Sequence, residues 1–180
     1  MRHILKTIVF FFIMLASFST FASKERWDKK ELVVWLCQNF EKYEKEVIDA
    51  TKKWTNVVGI KFIIKKGFWK RRFANIEVCG EIYLSKRWEV KNYSFAQNTI
   101  WYNQEGIITK SRILFNFWKY NWQRKRNKMK KVFLHELGHA LGFDHREAYY
   151  SVMNRSSPHF RIFKKDKQIA RKRYKHILKR

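Results

Sequence analysis

Hydrophobic and polar positions alternate along the chain with two different periods. Glu31 to Cys37 (ELVVWLC) is a short, nearly continuous apolar run, the pattern of a buried strand. From Glu41 to Trp54 the apolar residues Tyr43, Val47, Ala50 and Trp54 recur at spacings of four, three and four, which puts them on one face of a helix. Gly59 to Ile64 (GIKFII) and Ala74 to Cys79 (ANIEVC) return to strand patterns. Asn98 to Tyr102 and Ile107 to Asn116 flank the polar turn Asn103-Gln104-Glu105-Gly106 and so form a hairpin. Lys128 to Leu141 is helical again, with Met129, Phe133, Leu137 and Ala140 at core spacing and Gly142 as its stop. Asp166 to Ile177 is a last helix, with Ile169, Tyr174 and Ile177 as core contacts. The order of one strand, a helix, four strands and two helices predicts a mixed α/β domain: a twisted five-stranded sheet packed on helices.

The N-terminus stands outside this pattern. Arg2, His3 and Lys6 precede an unbroken apolar run from Ile8 to Ala16, and Thr20-Phe21-Ala22 presents small residues where a signal peptidase reads. The run is short for a bilayer span of about 20 residues. Residues 1–22 are therefore expected to be a cleaved signal peptide, and residues 23–180 one exported domain, secreted or periplasmic. The formal charge of +25 falls to +23 without Arg2 and Lys6. Seven Lys or Arg lie in residues 119–131 and ten in residues 161–180, which reads either as solvated helix faces or as a docking surface for an anionic partner. Trp35 and Trp54 sit in core patterns, while Trp69, Trp88, Trp101, Trp118 and Trp122 have no assigned place. The two cysteines, Cys37 and Cys79, form either a disulfide or a pair of buried thiols.

The chemistry is concentrated in His135-Glu136-Leu137-Gly138-His139-Ala140-Leu141-Gly142-Phe143-Asp144-His145. His135 and His139, four apart on a helix, bring two imidazoles to one face, where they can share a zinc ion. Glu136 is placed to take a proton from a water at that ion. His145 follows His139 by six residues, and a continuing helix would carry it through about 600°, to the wrong side. Gly142 can take positive φ, break the helix and return the chain. Three neutral imidazoles then leave one coordination position open, as a catalytic zinc requires. Ser151-Val152-Met153-Asn154 supplies a methionine eight residues after His145.

These residues match HExxHxxGxxH with a later methionine, and the chain resembles the metzincin metallopeptidases, specifically the matrixin-like group. The likeness extends to Val47–Phe62, to Ala74-Asn75-Ile76 (asparagine in place of aspartate), to Ile113-Leu114-Phe115-Asn116 and to Asp166–Tyr174. It implies a metzincin-like sheet packed on an N-terminal helix and the zinc helix, with a C-terminal helix after the methionine turn. It also implies that Met153 is a hydrophobic base under the metal rather than a ligand, and that Pro158, His159 and Phe160 stand where the family builds its specificity-pocket wall. The fold it implies makes the first and third strands parallel neighbours, so a Cys37–Cys79 bridge would close a 43-residue loop and stabilise by about 4 kcal/mol. Arg146 stands where matrixins commonly have serine, and Arg155 where some metzincins have tyrosine. No cysteine-bearing propeptide precedes the first strand, and only His159 and His176 remain in the mature chain for a second zinc.

Together these features describe a monomeric zinc endopeptidase with one catalytic Zn2+, a protein or peptide substrate and no small-molecule cofactor. Its metal ligands are His135, His139 and His145, its general base is Glu136, and Gly142 and Met153 are structural. The competing reading is a basic binding protein for nucleic acid or an anionic surface on the same fold. Glu136 separates the two, because a binding module has no use for a base beside two zinc ligands.

Overall fold

A computed structural model describes residues 25–36, 40–66, 81–87, 95–116, 125–156 and 159–179. The first strand, β1 (Glu31–Leu36), alternates rather than being buried throughout: Leu32, Val34 and Leu36 are fully buried, and Val33 and Trp35 are half-buried on the other face. Trp35 is thus not a core residue. It lies under the Lys65 ammonium, 5.7 Å from the ring centroid. A single 3₁₀ turn (Glu41–Tyr43) leads into α1 (Glu44–Val58), on which Val47, Ala50 and Trp54 are buried as their spacing predicts, beside Tyr43 of the turn. The helix runs one turn beyond the predicted end because Val57 and Val58 continue the buried stripe, and Gly59, at φ 76°, terminates it.

The remaining strands are β2 (Lys61–Lys66), β3 (Ile82–Arg87), β4 (Ala96–Tyr102) and β5 (Ile108–Asn116), in the sheet order β2-β1-β3-β5-β4. All pairings are parallel except β4 on β5, the predicted hairpin. Asn103 organises its turn: its Oδ1 accepts the Glu105 and Ile107 amides, and Gly106 takes φ 74°. β4 is the edge strand, as expected of this segment.

The third strand is displaced from the expected one. The neighbour of β1 begins at Ile82, with Leu36 opposite Leu84. It therefore starts after Cys79, and the argument that Cys79 closes the strand beside β1 loses its premise. Ala74–Cys79 and Cys37 lie outside the described residues, as do residues 1–24, Pro158 and Trp69, Trp88, Trp118 and Trp122. β3 escapes the pattern because three buried residues, Ile82, Tyr83 and Leu84, are followed at once by Ser85-Lys86-Arg87.

Helix α2 (Arg126–Ala140) packs on α1, buries Met129, Phe133, Leu137 and Ala140, and carries the motif histidines. Part of its basic N-terminal half is internally paired: Arg126 meets the buried Glu46 at 3.5 Å, and Lys130 meets Asp49 at 4.0 Å. The C-terminal helix is divided into α3 (Lys164–Arg173) and α4 (Lys175–Leu178) around the buried Tyr174. Ile169 is not a core contact; it is exposed at 37%. The inward face of α3 is set by Asp166, Ala170 and Tyr174, each four residues apart, and Ile169 falls one position off that line. Among the described residues no helix is long and apolar enough to cross a membrane.

Tyr174 ties this last segment to the rest. Its hydroxyl donates to Leu141 O at 2.9 Å and accepts the Trp27 amide at 3.3 Å. Tyr174→Phe keeps the ring and orphans two buried groups, so it should cost about 1–3 kcal/mol in denaturant unfolding. Ile169→Lys should stay within about 0.5 kcal/mol of the parent in the same experiment.

Candidate metal centre

The site is built on the way α2 ends. Phe143 N donates to Gly138 O at 3.1 Å and Gly142 N to His139 O at 2.8 Å, the paired bonds of a Schellman turn, with Gly142 at φ 80°. A Cβ at Gly142 would also collide with the Glu25 carbonyl. Four successive carbonyls at this end are each taken by a side chain. Trp27 Nε1 donates to Ala140 O at 2.8 Å, Tyr174 to Leu141 O at 2.9 Å, Arg173 to Gly142 O, and His139 Nδ1 to Phe143 O at 2.6 Å. The chain can therefore reverse here without leaving backbone acceptors unsatisfied.

The reversal brings His145 back over the helix. Nε2 of His139 lies 3.1 Å from Nε2 of His135 and 3.1 Å from Nε2 of His145, and the remaining edge of the triangle is 3.3 Å. Tetrahedral zinc with Zn–N of about 2.0–2.1 Å separates its ligand nitrogens by roughly 3.3 Å, so the triangle fits one such ion. The donor set fits as well. His135 Nδ1 donates to Val152 O at 2.8 Å and His139 Nδ1 to Phe143 O, which fixes both tautomers with the Nε2 lone pairs turned to the common point. Lone pairs at this range repel one another unless a cation lies between them. Burial holds His135 down at about 4 and His139 at about 3, the latter lowered further by its two histidine neighbours, so both are neutral ligands at pH 7. His145 is lowered too, first by burial and then by the Arg155 charge.

Beneath the histidines lies the turn that carries Met153. The buried Asp166 holds it with both carboxylate oxygens: Oδ1 accepts Ser151 Oγ at 2.7 Å and Arg146 Nη1 at 3.4 Å, and Oδ2 accepts Val152 N at 2.9 Å and Phe163 N at 3.2 Å. The residue so fixed, Val152, is the one whose carbonyl accepts His135, and the N–H of that carbonyl's own peptide group, on Met153, donates to Ser151 Oγ at 3.0 Å. Met153 is buried, with its sulfur against Gly138 of the zinc-motif helix. A Cβ on Gly138 would fall on its sulfur and lie 2.9 Å from Trp54 Cζ2, so the glycine inside the motif is a packing requirement.

Glu136 is buried, and its Oε2 has no hydrogen-bond partner among the described residues. Burial pushes its carboxyl up to about 8. It lines, with the three histidines, a cleft of about 710 Å³ whose opposite wall is β4, from Phe95 to Asn98 and Ile100. Asn98 fastens that wall: its Nδ2 donates to Ser111 Oγ at 3.0 Å and reaches Glu136 O at 3.5 Å.

The matrixin family model matches residues 26–175. The chain is a matrixin. No individual curated protein matches it. Matrixins are zinc metallopeptidases, and the histidine triad stands where such an enzyme holds its metal.

The sequence brought His135, Glu136, His139, His145, Gly142 and Met153 together, and the matrixin fold does the same. It did not reveal Trp27, which sits in the polar stretch Lys24-Glu25-Arg26-Trp27-Asp28 with no periodicity to mark it. Arg155 was read only as a departure from a family pattern, whereas it lines the cleft. His159 is directed elsewhere, with its Nε2 2.8 Å from Tyr149 O.

Two outcomes follow for the matrixin. Gly138→Ala should overpack the Met153–Trp54 contact by about 1–3 kcal/mol, lowering Tm by roughly 3–9 °C. Glu136→Gln tests the buried acid. The folded carboxyl at about 8 lies above its ordinary 4.5, so the unfolded chain releases its proton first and stability is lost as pH rises through that window. With chelator present, the variant's Tm should equal the parent's near pH 4.5 and exceed it increasingly toward pH 8. The buried histidines pull the other way in both proteins and cancel in the difference.

Proposed function

We propose that this matrixin is an exported, zinc-dependent endopeptidase in which Glu136 is the general base. One observation carries the reading: three Nε2 atoms converge within 3.1–3.3 Å of one another, beside a buried carboxyl with a free oxygen, on the floor of an open cleft. Zinc bound there would polarise the substrate carbonyl and lower the pKa of a bound water. Glu136 takes that water's proton and passes it to the leaving amine. Burial alone keeps this carboxyl protonated near neutrality, and a neighbouring dication favours the ionised form the base needs.

The substrate lies along β4. Among the described residues it is an edge strand with no partner on its outer side, and to such an edge an extended peptide adds by main-chain hydrogen bonds. Its seven residues are long enough to hold a peptide on both sides of the metal, which suits cleavage within a chain. Export rests on the basic, apolar and small-residue succession of residues 1–22, and mature protein beginning at Ser23 is its expected product.

Purified residues 23–180 should bind one zinc, and alanine at His135, His139 or His145 should abolish binding in metal analysis. Glu136→Ala should keep the zinc and lose about 10²–10⁴-fold in turnover on a protein substrate. Near-normal turnover in that variant would remove Glu136 from the mechanism.

A further inference from the structure

Among the described residues that line the cleft, Arg155 is the one Lys or Arg. It is exposed, and among the described residues it makes no hydrogen bond or ion pair. Its backbone, in contrast, is held on both sides. Asn154 N donates to Ser151 O at 3.2 Å, Asn154 Nδ2 donates to Ala148 O at 3.1 Å, and Ser156 N returns to Asn154 Oδ1 at 3.0 Å. Immediately upstream, Met153 O accepts the Arg146 amide at 2.9 Å. A fixed turn thus presents an uncommitted guanidinium to the same space as the histidines. The cleft's other acids do not neutralise it: Glu136 is buried in the floor, and Asp144 makes no ion pair with it.

We infer that Arg155 selects substrates bearing a carboxylate close to the scissile bond. The inference rests on the peptidase reading above and names the substrate class for that site. A guanidinium presents paired donors that match a carboxylate in a two-pronged bond, and among the described residues no acid pairs with them. A neutral substrate leaves the group in water at little cost, so discrimination comes from the added bond and is moderate. The carboxylate belongs either to an Asp or Glu side chain or to a chain terminus.

The experiment uses zinc-loaded residues 23–180 and internally quenched peptides. Each position around the cleaved bond carries in turn Asp, Glu, Asn, Gln or Lys, with amidated C-termini throughout. A second arm repeats the best neutral peptide shortened to a free carboxylate on either side of that position. One position should favour Asp or Glu over its amide by about 5–30-fold in kcat/KM. A preference confined to the second arm assigns the site to chain termini. Arg155→Gln should flatten the preference and Arg155→Glu should turn it toward Lys, each with one zinc per chain. The dependence on position should survive high salt, which screens the general pull of a chain of charge +23 on acidic peptides. A cleaving parent with no acidic preference in either arm, or a preference that both variants retain, overturns the inference and leaves the peptidase reading intact. A zinc-loaded parent that cleaves no peptide or protein overturns both.

Discussion

The site depends on reversing the chain at the end of a buried helix. His139 and His145 are six residues apart, and an unbroken helix would point them away from each other. Reversal exposes the last carbonyls of α2 inside the protein, where each unsatisfied acceptor is costly. Trp27, Arg173 and Tyr174 answer three of them from segments at opposite ends of the chain, and His139 answers the fourth. One ligand thus takes part in the turn that delivers another. The termini are fastened to the metal centre for the same reason: without their donors the turn after Gly142 would leave buried acceptors unpaired.

The turn under the metal obeys a similar logic. His135 needs an acceptor for its Nδ1–H, and Val152 O provides it; Val152 needs fixing, and Asp166 accepts its N–H on one side while Ser151 Oγ accepts the Met153 N–H on the other. Asp166 is in turn carried by α3, which Ala170 and Tyr174 anchor in the core. An inward-facing aspartate on a helix so rich in Lys and Arg is therefore explained by the metal centre. Arg146 joins the same carboxylate at 3.4 Å. Its presence after the third histidine, where the family commonly has serine, is accommodated by an acid already held in place.

The sequence disclosed whatever repeats or has a fixed spacing. Val47, Ala50 and Trp54 declared the face of α1, and His135, His139, Gly142 and His145 declared the metal centre, because helical periodicity and the geometry of one ion leave few alternatives. The hairpin was legible because Asn103 and Gly106 have turn chemistry of their own. Contacts made by single residues at long range were not legible. Trp27 meets Ala140 across 113 positions, and no local pattern records that. β3 is hard to read in the sequence because its apolar run, Ile82-Tyr83-Leu84, is only three residues long and is followed by Ser85-Lys86-Arg87. Ile169 was misplaced because an apolar residue was taken to define the inner face of α3, when a buried aspartate defines it. That error has a general physical origin: hydrophobic periodicity finds faces packed on a core, but not faces that serve a hydrogen-bond network.

Burial acts on the acid and the bases of this centre in opposite directions, and that links the two halves of the chemistry. Desolvation disfavours every charged form, so it lowers His135 and His139 and raises Glu136. The resulting arrangement of neutral imidazoles and a neutral carboxyl is well suited to receiving a dication. The imidazoles need shed no protons, and the carboxyl gains a partner for its charge. Phe95, Ile100, Val132 and Phe143 form the apolar part of the cleft wall. Asp144 and Arg155, which line the cleft, lie in the exposed segments after the reversal. Charge is thus excluded where protons must be controlled and admitted where a substrate must be told apart from its neighbours.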